Sequence, residues 1–233
     1  MTDTTRRQFL KRGGFIYLSG ALLLRPPLFT ARDAMAQEEE EEVTPNEDLM
    51  REHGLLKRVL LAYQEIMDRI DRQADFPPEA VTDSAGIIRT FVEDYHEQIE
   101  ENYLFPRFRK ANTLVDLVDT LTLQHRRGRI LTDRVTALSK NGFKTAGDKR
   151  QLWTYLHSFV RMYSPHEARE DTVLFPAFKK IVSRNEYDSL GEEFEDEEHD
   201  KFGQDGFEVM LDKVVRIEKR LGIYDLDQFT PKI

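Results

Sequence analysis

Cysteine is absent from this 233-residue chain. Disulfides, iron–sulfur clusters and thiolate-bound zinc are therefore excluded, and any metal must be held by nitrogen and oxygen donors. Runs of alternating β-branched residues between tight turns are also missing, which argues against a sheet-built domain. The most apolar stretch, Phe15 to Leu24, is interrupted by Gly20 and closed by Arg25-Pro26-Pro27, too short for an ordinary membrane anchor. Nor is there a surplus of basic charge. The chain carries −9 at pH 7, and its first 36 residues hold six basic side chains against two acidic ones, so the remainder is more acidic still. Such a surface repels nucleic acid and anionic lipid, and neither is an expected partner.

What is present at the N-terminus reads as an address. Arg6-Arg7, the apolar stretch and Ala34-Met35-Ala36 follow one another in the order of a twin-arginine export signal, with cleavage expected after Ala36. The protein is expected in the periplasm, or otherwise exported by that route, with no stable membrane anchor after cleavage. Residues 37–46 contain the run Glu38–Glu42 and read as an acidic, disordered linker, because adjacent carboxylates repel one another and lack a scaffold. Residues 47–222 are enough chain for one domain with a continuous core, and 223–233 form a C-terminal tail.

Within that domain the periodicity is helical. Leu49, His53, Leu56, Leu60 and Met67 mark a first helix that ends before Phe76-Pro77-Pro78. A second is expected from Asp83-Ser84 to about Lys110, a third from Thr113 to Lys140 before Asn141-Gly142, and a fourth from Asp148 to about Ser183. A fifth segment, Glu186 to Leu221, contains Gly203 and Gly206 and is expected to break in two. The predicted fold is all-α: an antiparallel up-and-down four-helix bundle with an additional C-terminal helical segment.

An internal repeat carries the chemistry. His96-Glu97-Gln98-Ile99-Glu100-Glu101-Asn102-Tyr103-Leu104-Phe105-Pro106-Arg107-Phe108 recurs as His166-Glu167-Ala168-Arg169-Glu170-Asp171-Thr172-Val173-Leu174-Phe175-Pro176-Ala177-Phe178, and His53 and His125 precede the two copies at nearly equal intervals. Residues four apart differ by about 40° around a helix, so His96 with Glu100, and His166 with Glu170, aim the same way. One inward helix face each then supplies His53; His96 and Glu100; His125; His166 and Glu170. Imidazole with carboxylate suits iron, manganese or zinc, and a carboxylate has the second oxygen needed to bridge two ions. The expected cofactor is a pair of iron ions bridged by Glu100 and Glu170. His157 falls half a turn out of phase with His166 and is expected to point away. The paired Leu-Phe-Pro-x-Phe segments read as core that ends or bends each helix at Pro106 and Pro176. Tyr95 and Tyr103 flank the second-helix ligands and read as packed tyrosines with bonded hydroxyls.

Arg51-Glu52-His53, the two HisxxxGlu segments with their Leu-Phe-Pro endings, and Gln124-His125xxGly128-Arg129 together resemble the hemerythrin-like, cation-binding HHE family over residues 47–222. The resemblance implies a four-helix bundle around a non-haem di-iron site that binds or reacts with dioxygen and related small molecules. The oxygen carriers of that family place a second histidine four residues past the third-helix ligand, where this chain has Arg129. They also take the fourth-helix carboxylate five residues after the histidine, a spacing that Asp171 satisfies; regular helix geometry favours Glu170 instead. Glu97, Asp171 and His199 are the candidates for an additional ligand. The expected function is reaction with dioxygen, peroxide or nitric oxide using an external electron donor. Alternatives are a dioxygen-binding, storage or sensing protein, and an iron buffer.

Overall fold

A computed structural model describes residues 43–203 and 206–233. The proposed export signal and the Glu38–Glu42 run lie outside the described residues. Among the described residues every regular element is helical, and no described helix is long and apolar enough to cross a membrane.

The first bundle helix, Pro45–Asp71, begins within the segment read as linker because Thr44 caps it. Thr44 accepts the Glu47 backbone N–H while Glu47 reaches back to the Thr44 N–H, and Pro45 occupies a position where a missing N–H costs nothing. The second starts at Pro78, five residues before the expected Asp83, again with proline opening the helix. It runs through Pro78–Ile87, a π-helical stretch Ile88–His96, a short α segment Glu97–Ile99, a second π stretch Glu100–Leu104, and Phe105–Lys110. The third is Val115–Ser139. The fourth comprises Ala146–Arg169, a π stretch Glu170–Leu174 and Phe175–Ile181, opened by a reciprocal Thr145–Asp148 cap. Each helix of the bundle packs on its two neighbours in the ring, and the first and fourth also close the ring.

Pro106 and Pro176 do not end their helices, which run on to Lys110 and Ile181, close to the expected ends at about Lys110 and Ser183. Each follows a π stretch and sits in the opening turn of the next α segment. The wider π turn moves aside the carbonyl that the proline ring would otherwise meet, so the helix continues. Leu104, Phe105, Phe108 and their repeats Leu174, Phe175 and Phe178 are all fully buried, as core packing requires.

The fifth segment does break, into Arg184–Phe202 and Gly206–Leu221. Gly203, at φ 69°, supplies the left-handed turn that stops the first piece. The second piece packs on the first and second bundle helices, held by a two-pronged contact of Arg58 with Glu218 at 2.8 and 2.6 Å. The tail beyond it is exposed and contains one 3-10 turn, Leu226–Phe229.

Candidate metal centre

His53, His96, Glu100, His125, His166 and Glu170 come together at the middle of the bundle, none more than 4% exposed. They form two imidazole pairs. His53 Nε2 lies 3.0 Å from His96 Nε2, and His125 Nε2 lies 3.2 Å from His166 Nε2. The carboxylates link the pairs. Glu100 Oε2 is 3.9 Å from His96 Nε2 and 3.4 Å from His125 Nε2; Glu170 Oε2 is 3.4 Å from His53 Nε2 and 3.2 Å from His166 Nε2. Each glutamate opens a π-helical stretch, so the wide turn of each ligand helix begins at the carboxylate itself, a placement typical of functional π turns.

The four inward Nε2 atoms are fixed by what the outward nitrogens do. His53 Nδ1 donates to Asp171 Oδ1 at 2.7 Å, His96 Nδ1 to Glu52 Oε2 at 2.6 Å, His125 Nδ1 to Glu101 Oε1 at 2.9 Å and His166 Nδ1 to Gln124 Oε1 at 2.8 Å. A proton held on Nδ1 leaves the Nε2 lone pair aimed at the centre, and the acceptors raise its basicity. Asp171, weighed as a ligand from spacing, stands instead behind His53, and Glu170 takes the inward position that regular helix geometry favoured. Glu52, Gln124 and Glu101 stand in the motifs quoted from sequence but were given no role there. All four acceptors sit beside a ligand in the repeat: Glu52 and Gln124 just before the lone histidines, Glu101 and Asp171 just after the glutamates.

Whether this donor set fits a cation is decided by the carboxylates. Both oxygens of Glu100 and both of Glu170 are buried and accept no hydrogen bond among the described residues. Buried carboxylate oxygens without donors are costly unless a cation compensates them. The imidazole separations also fit. Two nitrogens at right angles on one ion, each bonded at about 2.1 Å, stand about 3.0 Å apart, whereas a tetrahedral ion spreads them to about 3.4 Å. The His53–His96 separation matches the right-angled value and the His125–His166 separation lies between the two, so each pair is spaced to share one ion.

Outside this set, Glu97 lies close to Glu101 and His125, but a guanidinium fills the position between the acids: Arg129 is 2.7 Å from Glu97 Oε2 and 2.8 Å from Glu101 Oε1. Glu97 also accepts the Tyr163 hydroxyl at 2.5 Å. The repeat partner of Glu97, Glu167, is held by Lys57 at 2.5 Å. His199 is exposed on the fifth helix, and His157 is exposed and stacked on Trp153. Tyr95 and Tyr103 bond Phe194 O and Glu197 Oε1 on the fifth helix, away from the centre. Phe175 stacks on His53 and Phe105 on His125, both with ring centroids under 6 Å apart, so an apolar wall backs each lone histidine. Asp48, Glu52 and Glu198 form a further buried acidic group beside the centre, where Glu198 accepts the Phe207 N–H at 2.6 Å.

Without a cation the centre holds protons. Burial lowers the His53 imidazole, but the Asp171 hydrogen bond and the charges of Glu170 and Glu100 outweigh it and set it at about 8. Burial raises Glu170 to about 7, and burial likewise raises Glu93, on the same helix as His96, to about 7. His166 is driven down to about 3 by burial and by His125. Above pH 6.5, the ordinary histidine value, unfolded imidazoles and carboxylates have largely lost protons that the folded metal-free protein still binds. Stability of the metal-free protein is therefore expected to fall as pH rises from about 6.5 to about 8. His166 and His96, both driven down by burial, oppose this only at the lower end of the window, where unfolded imidazoles are still partly protonated. The metal-loaded protein is expected to behave oppositely, since ligation requires the deprotonated groups. Thermal midpoints of both forms across that window check the pair of signs; a metal-free midpoint that climbs with pH contradicts the assignment.

Relatives agree with this chain in sequence without assigning a role. An uncharacterized protein of Mycobacterium bovis and two of Mycobacterium tuberculosis are each 48% identical to it over 219 residues, covering 94% of this chain and 86% of the relative. No solved structure matches. The model of the hemerythrin HHE cation binding domain matches twice, over residues 44–176 and 116–222, so that the overlapping matches span both halves of the repeat. The chain belongs to the hemerythrin HHE cation-binding family.

Proposed function

We propose that the protein is a non-haem di-iron oxidoreductase that reduces peroxide, dioxygen or nitric oxide with electrons from an external donor. The observation that carries this reading is the bridging pattern: each imidazole pair shares both Glu100 and Glu170, whose oxygens lack hydrogen-bond donors among the described residues. His53 and His96 would hold one ion and His125 and His166 the other, with the two glutamates common to both. When bound, the ions supply electrons and Lewis acidity to a small oxidant. The chain does the rest. Asp171, Glu52, Glu101 and Gln124 hold the imidazoles in the metal-binding tautomer, and Phe105 and Phe175 shield the flanks from water. Arg129 and Tyr163 keep Glu97 engaged away from the ligand set. With two imidazoles and two shared carboxylates, an ion that favours six donors retains positions for a small ligand, the mark of a reactive rather than a structural site.

Anaerobic loading with ferrous iron followed by dioxygen, then peroxide, tests the reading optically. Rapid oxidation and repeated turnover with added reductant are expected. A coloured species that reverses on degassing, without turnover, would identify a reversible oxygen binder instead.

The proposed compartment follows from the N-terminus. The Arg6-Arg7 pair and Ala34-Met35-Ala36 support export of the folded, metal-loaded protein by the twin-arginine route. Replacing both arginines with lysine is expected to retain the precursor in the cytoplasm; undiminished mature protein outside the inner membrane would refute the signal.

A further inference from the structure

Tyr163 is a buried tyrosine, 1% exposed, one turn before His166 on the fourth helix. Its ring centroid is 5.2 Å from that of His166. Its hydroxyl donates to Glu97 Oε1 at 2.5 Å, a short bond to a carboxylate that Arg129 holds by the other oxygen. Space for that hydroxyl exists because residue 128 on the third helix has no side chain: a Cβ there would lie 2.8 Å from Cε2 and Cζ of the ring and closer still to the hydroxyl. Behind Tyr163, Phe159 stacks at 4.3 Å and 23°, and Phe159 meets the buried Tyr63 edge-on at 5.7 Å. An aromatic column thus ends against an imidazole of the centre. The repeat does not demand this arrangement, since the position equivalent to Tyr163 in the first copy is Glu93.

A phenol in this position resists losing a proton alone, because burial and the adjacent Glu97 charge push its pKa well up. It can lose a proton and an electron together, since the acceptor oxygen is already at hydrogen-bond distance. We propose that Tyr163 is a redox-active residue that gives the metal centre one electron while Glu97 takes its proton. The proposal rests on the redox reading above and adds a participant to it.

The balance is as follows. Reduction of one hydrogen peroxide to two waters breaks the O–O bond and consumes two electrons and two protons. A fully reduced centre supplies both electrons. A centre holding a single reducing equivalent supplies one, and Tyr163 supplies the other: its O–H bond breaks, the proton passes to Glu97 Oε1, and a neutral phenoxyl radical remains. The two protons of the waters come from solvent. An external one-electron donor later restores the phenol, which takes its proton back from Glu97.

The test uses full iron-loaded protein in its oxidised form, returned by one electron equivalent of dithionite, mixed anaerobically with one equivalent of hydrogen peroxide and frozen for electron paramagnetic resonance. A narrow organic radical signal is expected, with hyperfine structure that collapses when the tyrosines are ring-deuterated. A parallel fully reduced sample is expected to lack it. Tyr163→Phe is expected to lose the signal and Tyr63→Phe to retain it. Spin trapping in the unsubstituted protein, followed by peptide mapping, is expected to mark the peptide that contains Tyr163, which keeps the test decisive even if Tyr163→Phe binds iron poorly. An undiminished signal in Tyr163→Phe, an adduct on another tyrosine, or no radical in protein that consumed its peroxide overturns the proposal and leaves the di-iron reading standing. Protein that binds no iron, or leaves peroxide untouched, overturns both.

Discussion

Glu100→Ala is expected to empty both metal positions together. Glu100 approaches one histidine of each imidazole pair, His96 and His125, so its loss withdraws a donor from both ions at once. Metal content after anaerobic ferrous loading and desalting is expected to fall from about two ions per chain to well below one. Folding is expected to survive. Burial and the nearby Glu170 both raise Glu100, so in the metal-free protein this carboxylate is an unfavourable burial, and removing it offsets the small cavity left behind. Circular dichroism of the metal-free variant, run beside metal analysis, separates the two effects. A variant that keeps one fully occupied site has no shared carboxylate, and the dinuclear arrangement fails.

Gly128→Ala is expected to cost the third helix substantial stability. The new methyl would drive into the Tyr163 ring, which cannot retreat because Phe159 is stacked behind it. Overpacking of this kind costs about 1–3 kcal/mol. Displacing the hydroxyl also breaks its charged hydrogen bond to Glu97, worth about 1.5–3 kcal/mol. A combined loss of about 3 kcal/mol is expected by denaturant unfolding, even though alanine is the better helix former. In the Gly128→Ala, Tyr163→Phe double variant the hydroxyl clash and the hydrogen bond are both gone, so the two changes are expected to cost less together than the sum of each alone. Strict additivity would show that the two residues do not meet.

The duplicated pattern made the inner set of residues legible. Polar side chains recurring at matched spacing on helices with apolar faces had to share one interior, and the caps at Thr44 and Thr145 reinforce the helices that carry them. The local irregularities of the helices were not legible. No periodicity announced the π stretches at Ile88–His96, Glu100–Leu104 and Glu170–Leu174, which carry the chain past Pro106 and Pro176. The hydrogen-bonding partners of the histidines pair across helices, His53 with Asp171 and His96 with Glu52, and no local periodicity encodes such a contact. The repeat did hold a signal for them, since an acid or amide precedes each lone histidine and a second acid follows each glutamate. Tyr163 had no such signal. It breaks the repeat, and its importance emerges only where Gly128 on another helix makes room for it.

Anomalous diffraction at the iron edge, from crystals of the iron-loaded protein, tests the central claim most directly. The account predicts two peaks, one beside His53 and His96 and one beside His125 and His166, with Glu100 and Glu170 lying between them. A single peak, or iron seated at Asp48, Glu52 and Glu198 with the histidine pairs bare, would contradict it.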